Sequence, residues 1–206
     1  TSFSMSQQLL LRDVIFAFQG IDGKYIRDSK SEGAYSIDPK IGIPTPVRVL
    51  LMKLSHMGHL FRKVNEIINK SIPRKDLGIV GQSLYFIFQE QLVDYYRLMA
   101  VLEAQVDLGD PTGVVGSAKE SRVSDDRSSE PSHNPSLTLR RLFVWVQDPY
   151  ERLKLMYTIA SSTEGLRGGA LATAVHTFTR HGDPMVRSFV NKTMQEISAP
   201  LLAMVR

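Results

Sequence analysis

The sequence predicts an all-α protein: an elongated bundle or array of about seven helices, with a small β-hairpin after the first helix and one disordered insertion. Three observations predict it. Apolar residues recur at helical spacing through most of the chain. Two joints carry the pair Asp-Pro, at 148–149 and 183–184, where Asp suits an N-cap and Pro the first helical position. Strand-like alternation is confined to residues 24–37.

The first helix is read from Leu10, Val14, Ala17 and Phe18, which share one face. It runs into "FQGIDGKYI" (18–26), where Gly20, Asp22 and Gly23 are read as a structural turn: the glycines let the chain leave the helix and Asp22 bonds turn backbone. Lys24–Arg27 and Ala34–Ile37 then flank a polar turn at Gly33, which predicts the hairpin. In the second helix Val47, Leu50, Leu51, Leu54, Phe61, Val64 and Ile68 form the apolar stripe, between Pro44 and Pro46 at the start and Pro73 at the end.

The third helix, from about Val80 to Leu108, sets Phe88, Leu92, Tyr95, Met99, Leu102 and Val106 in alternating steps of four and three, a pattern suited to long helices packed at a shallow angle. Residues 110–134 have no aromatic side chain, six serines and no period, so they read as a flexible insertion whose serines are phosphorylation candidates. Four shorter stripes follow: Leu139, Leu142, Phe143 and Val146; Leu153, Met156, Tyr157 and Ala160; Leu171, Ala174, Val175 and Phe178; Val186, Phe189, Val190, Thr193 and Ile197. Asp148 and Asp183 are read as the helix caps at the two Asp-Pro joints, with Gly182 ending the helix before the second in the left-handed conformation.

Composition narrows the function classes. No apolar run approaches the roughly 20 residues of a membrane span. The absence of cysteine excludes disulfides and thiolate metal sites. The net charge of +4 is spread out, with 13 basic and 11 acidic groups in residues 1–109 and 9 and 5 in residues 135–206, so there is no basic block of the nucleic-acid type.

Catalytic and cofactor motifs fail one by one. Gly20 and Gly23 follow a helix instead of a strand and lack the Gly-Lys-Ser/Thr ending of a phosphate loop, and Gly168-Gly169 is too sparse for one. Residues 28–39 put Lys30 and Pro39 where a calcium loop needs oxygen ligands. His56 and His59 sit three apart on one helix with no further ligand spaced to complete a zinc set, and His176 and His181 flank a helix end. No nucleophile elbow supports a serine–histidine–aspartate reading. No enzyme and no cofactor is expected. Tyr85, Phe86, Phe88, Tyr95, Tyr96 and Trp145 are read as core packing in preference to a base-stacking platform.

Four stretches, "LLLRDVIFAFQGIDGKYI" (9–26), "LGIVGQSLYFIFQEQLVDYYRLMAVLEAQ" (77–105), "SLTLRRLFVWVQDP" (136–149) and "RGGALATAVHTFTRHGDP" (167–184), together resemble the gamma-tubulin complex component family, in order and over nearly the whole chain outside 110–134. The likeness is strongest to the component-three, spindle-pole-body branch. The resemblance implies that residues 1–206 are the first, helical GRIP domain of a larger protein. It implies lateral assembly with component two for microtubule nucleation, at the cytoplasmic microtubule organizing center or spindle pole body. Gamma-tubulin would be held by a second domain, and a MOZART-type small protein by an N-terminal extension, both expected to be missing from this chain.

Where the family has a Gly-Trp-Leu-Phe-like turn, this sequence has Gly58-His59-Leu60-Phe61, leaving His59 as a core substitute or an exposed residue. The insertion is assigned no family role. The contact candidates are the basic residues Arg48, Lys53, Arg62, Lys63, Arg140 and Arg141, which fall outside the apolar stripes. Two other classes stay open on the residues alone: a helical interaction adaptor unrelated to microtubules, and a basic nucleic-acid binder.

Overall fold

A computed structural model describes residues 7–29, 34–37, 42–73, 77–108 and 137–205. The insertion and the hairpin turn at Gly33 lie outside them. The order is α1 (Gln7–Phe18), β1 (Ile26–Ser29), β2 (Ala34–Ile37), α2 (Thr45–Ser71), α3 (Gly78–Leu108), α4 (Leu139–Trp145), α5 (Gln147–Ser162), α6 (Gly168–Thr177), a 3-10 turn (Phe178–Arg180) and α7 (Pro184–Val205). Seven α-helices and one antiparallel hairpin thus make up the described residues, with Ile26 opposite Ile37 and Arg27 opposite Ser36.

The two long helices carry the rest. α2 packs against α1, β2, α4 and α5; α3 packs against α1, α6 and α7 and touches α2. The predicted stripes form most of the core: Leu51, Leu54, Phe61, Val64 and Ile68 of α2 and Phe88, Leu92, Tyr95, Met99, Leu102 and Val106 of α3 are all buried, whereas Val47 and Leu50 at the start of α2 are half-buried and Tyr157, placed on a later stripe, is exposed. At their meeting point Phe61 stacks on Tyr95, ring centroids 4.9 Å apart.

α1 is seated there by three local devices. Its last turn lies on α2 at Gly58, where a Cβ would stand 1.9 Å from the Ala17 carbonyl oxygen. The Tyr95 hydroxyl donates to the Phe18 carbonyl oxygen at 2.9 Å, a buried bond. Gly20, at φ +75, then takes the chain out of the helix in the left-handed region that favours glycine.

Burial raises the Tyr95 phenol well above its ordinary 10.0, with Tyr96 and Tyr35 adding to the effect. The folded protein therefore keeps this proton where the unfolded chain has released it. Its contribution to stability is complete below pH 10 and is lost as pH rises above that value towards the folded one. Tyr95→Phe is expected to cost about 1–2 kcal/mol near neutrality, the worth of one buried hydrogen bond. It is also expected to flatten the loss of stability above pH 10. Urea midpoints taken at pH 8, 10 and 11 check both; an unchanged alkaline slope would overturn the second.

The turn after α1 is held by a carboxylate that the sequence reading did not name. Asp22 lies exposed in the turn, and Asp13, buried inside α1, reaches into it from the helix. Its Oδ2 accepts from the backbone N–H groups of Tyr25 (2.5 Å) and Ile26 (3.3 Å). Gly23 has no positive φ; it is confined by space, since a Cβ would come within 2.7 Å of the Asp13 carboxylate.

The two Asp-Pro joints also differ. At Asp183 the side-chain oxygen accepts from the Met185 N–H at 2.9 Å, capping α7. Asp183→Ala should cost about 1 kcal/mol, read from thermal unfolding; no change would show the cap to be idle. Asp148, expected to cap its helix, lies inside the first turn of α5, which starts at Gln147. The cause is Pro149. In one continuous helix its missing N–H would face the Trp145 carbonyl and its ring would clash there. The chain therefore breaks at Val146, and Thr138 is the side chain that caps, accepting from the Arg141 N–H at the start of α4. Gly182 is not left-handed either; α6 closes through the 3-10 turn.

Candidate interaction faces

The six basic candidates do not converge on one patch. Arg48 and Arg62 lie fourteen residues apart on α2 (about 21 Å at 1.5 Å per residue). Lys53 borders a groove of about 490 Å³ between α2 and the α4–α5 joint, lined by Met52, His56, Phe143, Val146 and Tyr150. The Tyr150 hydroxyl lies 3.3 Å from His56 Nδ1 on its wall. Arg62 lays its stem over the Gly20 turn. Lys63 borders a second, more polar groove of about 310 Å³ beside the α5–α6 connection, with Glu66, Lys70, Glu164 and Arg167. Arg140 is exposed, and the Arg141 guanidinium sits over the Trp145 ring, 5.4 Å from its centroid.

Four of them are on α2 and two on α4, which packs against α2, but Lys53 and Arg62, nine residues apart, lie on opposite sides of α2. His59 is half-buried, with its ring centroid 6.2 Å from that of His56. Among the described residues no cluster of three or more histidines and carboxylates suits a metal ion. No described helix is long and apolar enough to cross a membrane.

A second face was not anticipated. Of the aromatic residues expected in the core, Tyr85, Phe88 and Tyr95 are buried, but Phe86 is 67% exposed, and Tyr96 and Trp145 are exposed as well. Phe86 belongs to a row on α3: Ile79, Phe86 and Val93 are exposed at seven-residue intervals, and Ala100 continues it. α3 is therefore apolar on two opposite sides, one in the core and one in solvent. The seven-residue interval was visible in the sequence. The stripe read from the sequence took the core side of α3 correctly; the miss was Phe86, which was grouped with the core aromatics although it belongs to the outer row.

The chain matches the family model for the gamma tubulin complex component N-terminal region over residues 11–206. It is 38% identical over 205 residues to gamma-tubulin complex component 3 of Arabidopsis thaliana, covering 98% of this chain and 23% of that protein. It is 35% identical over 202 residues to gamma-tubulin complex component 3 of Homo sapiens, covering 98% and 21%. To spindle pole body component 98 of Dictyostelium discoideum it is 34% identical over 230 residues, covering 97% and 28%. The chain thus spans about a quarter of the length of these relatives.

Proposed function

The chain belongs to the gamma tubulin complex component N-terminal family, and from that premise we propose that it is a non-enzymatic scaffold that joins neighbouring components of a gamma-tubulin complex side by side. The observation that carries this reading is the family match over residues 11–206, with 34–38% identity to the plant, human and slime-mould relatives. The fold supports it. Two long helices, joined by the Phe61–Tyr95 stack and by α1, whose last turn lies against Gly58, make a body with outward-facing helices. Such a body sets the spacing and tilt of its neighbours without covalent chemistry.

The partner in this reading is component two, and the product is a template for microtubule nucleation at a microtubule organizing center or spindle pole body. Residues 1–206 act as the first GRIP domain. Gamma-tubulin is held by a second domain and a MOZART-type protein by an N-terminal extension of the longer protein.

Sedimentation velocity of this chain mixed with the N-terminal region of component two tests the proposal. A 1:1 complex at micromolar concentration is expected. Separate boundaries at all concentrations would overturn it, and salt-sensitive binding to a DNA duplex in their place would favour the nucleic-acid class.

A further inference from the structure

Asp-Gly occurs once in the chain, at residues 22–23, and Asn-Gly nowhere. The pair has a chemistry of its own. Glycine has no Cβ to shield its amide nitrogen, so that nitrogen can reach the Cγ of the preceding aspartate and close a five-membered imide. Asp22 is exposed, so water has access to it. In a loose turn nothing would hold the reaction back.

This turn is not loose. The Gly23 N–H donates to the Ile26 carbonyl oxygen at 2.8 Å, which occupies the proton that the nitrogen must lose. The Tyr25 and Ile26 N–H groups are held in turn by the Asp13 carboxylate. Ile26 is fully buried and pairs with Ile37 in the hairpin. Gly23 lies against the same carboxylate, where a Cβ would stand 2.7 Å away. The attacking nitrogen is thus bonded, and its residue confined, by contacts that lead back to one buried side chain.

We propose that Asp22-Gly23 is a latent modification site, a place of isoaspartate formation that the Asp13 latch holds closed in the folded protein. When the latch opens, the Gly23 nitrogen attacks Cγ of the protonated Asp22 carboxyl. The new C–N bond replaces the C–OH bond, and the hydroxyl leaves as water with the amide proton. A second water then opens the imide. Its addition at Cγ restores aspartate, whereas addition at the backbone carbonyl leaves the chain running through Cβ and Cγ. That second product has unchanged mass and one more backbone carbon between α1 and β1. Tyr25 and Ile26 then no longer meet Asp13 in register, so a turn that has reacted stays open. Water is the only reagent, and the scaffold reading is not needed for it.

The test ages the 206-residue chain at physiological temperature. Isoaspartate is counted by methyl transfer from labelled S-adenosylmethionine with an isoaspartyl methyltransferase. Tryptic cleavage after Arg12 and Lys24 places Asp22 in peptide 13–24, apart from Asp28-Ser29. Wild type unfolded in urea is expected to label there about 30-fold faster than the folded protein, and folded Asp13→Ala about tenfold faster, as local opening becomes commoner. Asp22→Glu should leave this peptide unlabelled, since glutamate would have to close a six-membered ring.

Folded wild type that labels as fast as the unfolded chain would overturn the proposal. So would Asp13→Ala, folded by circular dichroism, at the wild-type rate, or label confined to any other peptide. If Asp13→Ala does not fold, a urea series on the wild type below its transition takes its place. Labelling should then rise in step with hydrogen exchange of the Tyr25 and Ile26 amides, and labelling that ignores their exchange would equally sink the latch.

Discussion

Replacing Gly58 by alanine is expected to cost about 3 kcal/mol of folding stability or more, a large share of the roughly 5–15 kcal/mol that holds a domain together. In an unobstructed helix the same change gains about 1 kcal/mol, because alanine loses less backbone freedom than glycine. Here the new Cβ would lie 1.9 Å from the Ala17 carbonyl oxygen and 2.7 Å from its carbon. Backbone cannot swing aside as a side chain can. α1 has little room to withdraw, because its last turn is tied to α3 through Tyr95 and Phe18. Either that bond breaks or the buried contacts of Val14, Ala17 and Phe18 loosen.

Gly169→Ala is the internal control. It is also a helical glycine, but nothing lies within 4 Å of its added Cβ, so a gain of about 0.5–1 kcal/mol is expected. Urea unfolding followed by far-ultraviolet circular dichroism compares the two. A Gly58→Ala protein as stable as the wild type would show that α1 does not press on α2 as described.

Gly58 illustrates what the sequence could and could not disclose. Where one period governed a long segment, as in the stripes of α2 and α3, the buried residues were legible, because a helix repeats its face every 3.6 residues whatever it packs against. The same reasoning cannot see across the fold. Gly58 was legible as part of a family-like turn, but its purpose depends on a carbonyl forty-one positions earlier in the chain.

At Asp148 the local rule was sound and its competitor was missed: Pro149 stops the preceding helix four residues upstream, which moves the break to Val146. The interaction faces divide likewise. Scanning for charge finds the lysines and arginines of α2. The apolar row of α3 emerges only once α1, α6 and α7 have claimed the opposite side of that helix.

The second large effect is expected at Asp13, which sequence reading passed over because it lies beside the apolar stripe of α1 with no partner nearby in the chain. In the fold it is 6% exposed, and one carboxylate oxygen receives two backbone N–H groups twelve and thirteen residues away. Asp13→Ala leaves both donors without their acceptor, and that of Ile26 is buried. Hydrogen bonds to a charged group are worth about 1.5–3 kcal/mol each, so a total loss of roughly 2–4 kcal/mol is expected once water reaches the outer one.

Asp13→Asn keeps an oxygen in place and should lose about half as much by the same scale. Gly23 supplies the decisive coupling. Gly23→Ala in the wild type drives a Cβ to within 2.7 Å of the Asp13 carboxylate, whereas in the Asp13→Ala background those atoms are gone. The two losses should therefore add to less than their sum, by about 1 kcal/mol or more, as contacting residues do in a double-mutant cycle. Strict additivity in urea unfolding would mean that Asp13 and Gly23 do not meet, and that α1 and the hairpin are joined by some other contact.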